Sequence, residues 1–226
     1  MKLKLVVATR ETKDTFSSRA ALGKSMSVNH GISIELILFD SNTRGLPLLY
    51  NSVIRDAAND PAILVFAHDD LHLLDYFWPT RVAEGLAHFG ILGLAGNKRR
   101  LPRQPAWAFK DDSFTWDDAT NLSGVVGHGQ GHPPENLSAF GAPRQRVLLM
   151  DGLFLATHSE TLLEHQILFY ECFDFHFYDL DFCRQAELRG VTCGTWDIAV
   201  VHESGGSFGS PAWCEAYQKY LQKWGD

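Results

Sequence analysis

Short apolar runs recur along the chain, separated by amphipathic stretches, and the first three stop abruptly on polar residues. Leu3 to Ala8 reads as a buried strand closed by Thr9-Arg10, and Ile32 to Phe39 makes a second strand, closed by Asp40. Ile63 to Ala67 reads as a third, following Asp60-Pro61 and closed by His68-Asp69-Asp70. Ser17 to Ser27, Leu46 to Ala58 and Tyr76 to Phe89 fit helices, the last two with Pro47 and Pro79 near their starts. Ile91 to Ala95 adds a fourth strand. This β-α-β-α-β-α-β order predicts a parallel sheet with right-handed crossovers.

The rhythm breaks between residues 97 and 146, a stretch rich in Gly, Pro, charge and aromatics. An ordered segment of that length without clear periodicity predicts a hairpin-containing insertion that shapes a pocket. Order resumes at Val147 to Ala156, a strand interrupted by Asp151-Gly152. A short helix over Glu160 to His165 and a longer one over Tyr178 to Arg189 follow, the latter capped by Gly190. Val191 to Val201 reads as a last strand ending on His202, and Trp213 to Trp224 as a terminal helix with an aromatic face. The chain 1–226 therefore reads as one α/β domain with segments 1–96, 97–146 and 147–226.

Composition narrows this picture modestly. With 226 residues and 45% hydrophobic content, the chain has the core of one enzyme-sized domain. A net charge of −7 argues against nucleic acid or anionic membrane as a general partner. The four cysteines show no metal-type spacing and read as reduced thiols. The N-terminal apolar core is too short for a secretory signal and no run reaches membrane-span length, so a cytoplasmic location is expected.

The strand ends carry the chemistry. In an open parallel sheet, ligands bind beyond the carboxyl ends of the strands. Adjacent aspartates there are costly unless a positive charge neutralises them, and a divalent cation with oxygen ligands does so. Asp69 and Asp70 with His202 form a donor set suited to Mn²⁺ or Mg²⁺ rather than structural zinc. A second cluster, Phe173 to Phe182, sets Asp174, Asp179 and Asp181 among aromatics, and apolar walls raise a carboxyl towards the pKa of a useful base. Asp179 and Asp181 face different ways on a helix, one towards a pocket and the other towards a backbone donor. Gly205-Gly206, Gly127-His128-Gly129 and the basic run Lys98-Arg99-Arg100 with Arg103 are candidate phosphate contacts, although no P-loop or dinucleotide fingerprint is present.

Together these segments resemble the family-2-like group of GT-A-fold glycosyltransferases. The resemblance implies a Rossmann-type mixed, mainly parallel sheet flanked by helices, with 1–96 as the nucleotide-binding half and 147–226 as the acceptor half. Leu5 to Arg10 looks like the strand that receives the nucleotide base, which makes Thr9 and Arg10 nucleotide contacts. Asp40 matches the carboxylate that meets the uracil or guanine ring. Val65 to Asp70 resembles the D-x-D region: Ala67 stands where its first aspartate falls, and Asp69 takes the second place with Asp70 adjoining and His68 between. Tyr178 to Phe182 resembles the family's E-D-x-D-L helix start, with Asp179 on the catalytic-base position and Tyr178 in place of the glutamate. Val200 to Ser204 is similar to the late strand that supplies the third metal ligand, His202. The implied activity is metal-dependent, inverting transfer of a sugar from a UDP or GDP sugar to a carbohydrate or other hydroxyl acceptor. Two rival readings are a nucleotide-binding protein without transferase activity and a metal-dependent phosphohydrolase built on His68-Asp69. The second is disfavoured because the His-Asp pair of the helical phosphohydrolases lies on a helix.

Overall fold

The apolar runs at Leu3 and Ile63 pair as parallel strands, and their burial calls for cover on both faces of the sheet. The computed structural model describes residues 2–28 and 34–225. The first half contains β1 (Leu3–Ala8), α1 (Lys13–Arg19), α2 (Ala21–Val28), β2 (Glu35–Phe39), α3 (Leu46–Asp56), β3 (Ile63–His68), β4 (Leu71–Leu73), α4 (Trp78–Leu86), β5 (Ile91–Gly93) and β6 (Ala95–Asn97). The second half contains β7 (Leu122–His128), β8 (Asn136–Gly141), β9 (Arg146–Val147), β10 (Leu149–Met150), β11 (Phe154–His158), α5 (Ser159–Glu164), α6 (Tyr178–Leu188), β12 (Cys193–Thr195), β13 (Val200–His202) and α7 (Pro211–Trp224).

The main sheet runs β2-β1-β3-β11-β5-β12-β9. The strands β2, β1 and β3 are parallel, as the alternation predicts. Then β11 inserts antiparallel between β3 and β5, so the fourth predicted strand is not a neighbour of the third. A second sheet, β10-β6-β7-β13-β4 with β8 on β7, stands at the carboxyl edge of the first.

Several predicted elements divide in two, each for a local reason. The predicted helix 17–27 begins earlier and breaks at Ala20, whose extended backbone separates α1 from α2. The strand expected over 147–156 turns at Asp151-Gly152, so that β10 joins the second sheet and β11 the first. The strand expected over 191–201 likewise becomes β12 and β13, in different sheets. The start of the second predicted strand, at Ile32 and Ser33, lies outside the described residues. The insertion does contain a hairpin, β7–β8, and β7 bridges β6 and β13.

Candidate active site

A crossing between the two sheets assembles the first cluster of polar groups. Strand β3 ends at His68, the chain turns through Asp69-Asp70, and β4 enters the second sheet against β13. That antiparallel pairing sets Leu71 opposite His202, and Glu203 N–H donates to the Asp70 carbonyl at 3.0 Å. Residues 68 and 202, far apart in sequence, thus meet through backbone register.

His68, Asp70 and His202 each offer a ligand atom, and all three atoms lie within 4.8 Å of one another. His202 Nε2 is 3.3 Å from Asp70 Oδ1, yet that buried oxygen accepts no properly aligned hydrogen bond. An orphaned carboxylate oxygen between two imidazoles is the donor set a hard or borderline divalent cation fits. Burial alone would raise the Asp70 carboxyl, but the His202 contact and charge outweigh it and hold the group well below the usual range. Burial opposes the charge of His202 too, and Asp70 reverses that to a net rise. His68 moves the other way, lowered chiefly by burial. Its Nε2 lies 2.9 Å from the Tyr178 hydroxyl, which itself donates to the Gly152 carbonyl at 2.8 Å. With the hydroxyl proton committed to Gly152, its oxygen accepts from His68 Nε2–H, and the imidazole lone pair stays on Nδ1.

Asp69 turns away from this group. Its Oδ2 accepts from Thr9 Oγ1 at 2.6 Å, joining the ends of β1 and β3, and burial raises its pKa despite that bond. Ala67 is fully buried and paired with Val7 and Phe154, so its side-chain position lies inside the sheet and not at the site. Asp40 is exposed at the end of β2 and accepts from the Lys13 backbone at 3.3 Å. Arg10 is exposed on the same sheet edge. The structure therefore brings Asp70, His202 and His68 together, pairs Asp69 with Thr9, and leaves Arg10 and Asp40 further along the edge.

His68 and His202 also border a cavity of about 410 Å³, within the roughly 300–1,000 Å³ of small-molecule sites. Asp151 and Asp179 line it as well. Asp179 Oδ2 accepts from Gly152 N–H at 3.0 Å and Oδ1 from Leu180 N–H at 2.9 Å. Desolvation, and secondly the charge of Asp151, push its carboxyl up to about 7 despite those two donors. Gly152 is obligatory here: a Cβ would come within 2.3 Å of the Tyr178 hydroxyl and 3.0 Å of the Asp179 Cβ. Phe177, which precedes α6, sits at φ 66° and is held there by packing against Trp213, Tyr217 and Tyr220. Asp181 meets side chains instead of a backbone donor, accepting from Lys223 Nζ at 2.5 Å and Trp224 Nε1 at 2.9 Å.

Sequence reading gave Asp151 no chemical role and His128 one only within the candidate phosphate contact Gly127-His128-Gly129. Asp151 accepts from Trp107 Nε1 at 2.8 Å, and its signal was the Asp-Gly break in an apolar strand. His128 pairs in register with His202 and lines the cavity, as do Gly205 and Gly206. The basic run is largely committed elsewhere, with Arg99 on Asp117 and Arg100 on Glu187.

Comparison with known proteins places this geometry in context. A family model described as "Glycosyltransferase like family" matches residues 5–223. No curated protein matches the chain. Among solved structures, the chain is similar to A197 from STIV, with 8% identity, a TM-score of 0.50, and coverage of 90% of this chain and 83% of that one. It is also similar to GalNAc-T7 solved with UDP, GalNAc and Mn²⁺, at 10% identity and a TM-score of 0.52. All of this chain aligns there but spans only 48% of the GalNAc-T7 chain.

Proposed function

The chain belongs to the glycosyltransferase-like family whose model matches it from residue 5 to 223, and from that premise we propose that it transfers a sugar from a nucleotide diphosphate sugar with inversion, assisted by Mn²⁺ or Mg²⁺. It has the GT-A glycosyltransferase fold, which its likeness to GalNAc-T7 illustrates. The observation that carries the reading is a three-residue donor set at the border of a cavity whose wall holds a carboxyl poised near neutrality.

In this reading His68, Asp70 and His202 hold the cation, and His68-Asp69-Asp70 fills the D-x-D place one residue later than the sequence suggests. The cation, when bound, neutralises charge growing on the diphosphate leaving group. Thr9 and Arg10 at the end of β1 and Asp40 at the end of β2 contact the nucleoside, and Asp69 braces Thr9. Asp179 removes the proton from the acceptor hydroxyl as its oxygen attacks the anomeric carbon. The bond to the diphosphate breaks with its electron pair, and no enzyme nucleophile is needed. Tyr178 fixes the His68 tautomer, while Gly152 carries the hydrogen-bond path from His68 to Asp179.

Titration calorimetry with UDP and GDP, with and without Mn²⁺, followed by nucleotide release from UDP and GDP sugars, tests the proposal. Metal-dependent nucleotide binding and release are expected. Binding without release on any donor would favour a nucleotide-binding protein, and absence of metal-dependent binding would overturn the reading.

A further inference from the structure

The walls of the cavity are aromatic, and they come from separate parts of the chain. Trp107, Phe109 and Trp116 belong to the insertion, Phe140 to β8, Phe175 to the segment before α6, and Phe208 to the segment after β13. Phe109 joins the two sides, with ring centroids 5.2 Å from Trp116 and 5.1 Å from Phe208. Trp116 also stacks on Phe140 at 5.8 Å and 17°. Buried aromatics need no ligand to explain them, but Trp116 keeps 54% and Phe208 44% of its surface exposed while lining the cavity. Exposed rings on either side of a concave site are an unfinished contact.

The polar groups supply the second half of the argument. Asp151 and Asp179 line the same cavity, with Asp151 tied to the aromatic wall through Trp107 Nε1. No lysine or arginine is among the described residues that line it. Each carboxyl oxygen already accepts one donor, from Trp107 Nε1 and Leu153 N–H on Asp151 and from Gly152 and Leu180 N–H on Asp179, and a wholly apolar guest would leave their remaining lone pairs unused. An anionic guest would meet Asp151 and Asp179 with no lysine or arginine in the wall to offset them, the proposed cation being engaged by the donor diphosphate. A neutral ring with several hydroxyls satisfies both halves, since its C–H face packs on the aromatics and its O–H groups donate to the aspartates.

We propose that the acceptor is an uncharged carbohydrate, its ring laid against Trp116 and Phe208 and its hydroxyls directed to Asp151 and Asp179. This deepens the transferase reading and rests on it. It makes Trp116 and Phe208 specificity-determining residues, and it makes Asp151 an acceptor contact alongside the base.

The test uses the whole chain with Mn²⁺ and UDP. Calorimetry first measures UDP binding by itself. Tryptophan emission, to which the lining residues Trp107, Trp116 and Trp213 contribute, is then titrated with cellobiose, glucuronate and cyclohexanol. Saturable binding of cellobiose is expected, at least ten-fold tighter than either of the others. Trp116→Ala and Phe208→Ala should each weaken cellobiose roughly two- to ten-fold, the range of one aromatic contact. Trp116→Phe should recover most of the loss, and Ser138→Lys, on the cavity wall, should move preference towards glucuronate. UDP binding together with tighter glucuronate or cyclohexanol, no saturable response to cellobiose, or unchanged affinity in both alanine variants overturns the acceptor class alone. Failure of UDP to bind in the presence of Mn²⁺ overturns the transferase reading beneath it.

Discussion

Replacing Asp179 with asparagine separates its two properties, because one acts on rate and the other on stability. The carboxyl rises from an ordinary 3.8 to about 7, first through desolvation and then through Asp151. In the unfolded chain it ionises near its ordinary value, so between those two pH values the folded state holds a proton that the unfolded state has lost. Stability therefore declines as pH rises from about 4 to 7, and the full penalty applies above 7. The rise corresponds to at most about 4 kcal/mol. Asp179 lines the cavity and is only half-buried, so solvent screening reduces this to about 2–4 kcal/mol. Asparagine removes this penalty but presents one carbonyl oxygen to the Gly152 and Leu180 donors, giving back about 1 kcal/mol. Urea denaturation at pH 5 and pH 8 should thus show a wild-type decline that the variant lacks. Rate should move the opposite way, with sugar transfer falling about 10²–10⁴-fold through loss of the base while UDP affinity holds. In the wild type, kcat/KM should climb with pH and level off near 7. Turnover within ten-fold of wild type, or the same stability decline in both proteins, would refute the assignment of Asp179 as a desolvated base.

Three further outcomes follow from the same geometry. Asp151→Asn should lower the pH at which the wild-type rate levels off, because it removes the second cause of the Asp179 rise; pH–rate profiles of the two proteins check it. Asp70→Asn and His202→Ala should each weaken Mn²⁺ binding at least ten-fold in metal calorimetry, whereas Asp69→Asn should weaken it less, since Asp69 is turned to Thr9. Lys223→Met should destabilise the chain by about 3–5 kcal/mol in chemical denaturation, as it strips the cation from an Asp181 carboxylate that has no solvent exposure.

Much of the frame was legible in the pattern of residues. Three apolar runs ending on Thr9, Asp40 and His68 announced parallel strands whose carboxyl ends share an edge; β1 and β3 are buried, whereas β2 at the end of the sheet is only partly covered. The aromatic surround of Asp179 likewise announced a perturbed carboxyl, since desolvation depends on residue type as much as on placement. What the chain alone did not decide was which polar side chain goes where at each strand end. Asp69 and Asp70 are adjacent and chemically identical. The turn after β3 sends one to Thr9 and the other to His202, and only the pairing of β4 with β13 makes that distinction. The split at Asp151-Gly152 is similar: the apolar run looks continuous, but its halves serve different sheets, and that division brings Gly152 against Tyr178 and Asp179. Periodicity specifies which face of a segment is apolar. Partner choice between sheets depends on hydrogen bonds between residues far apart in sequence, and those exist only once the chain has folded.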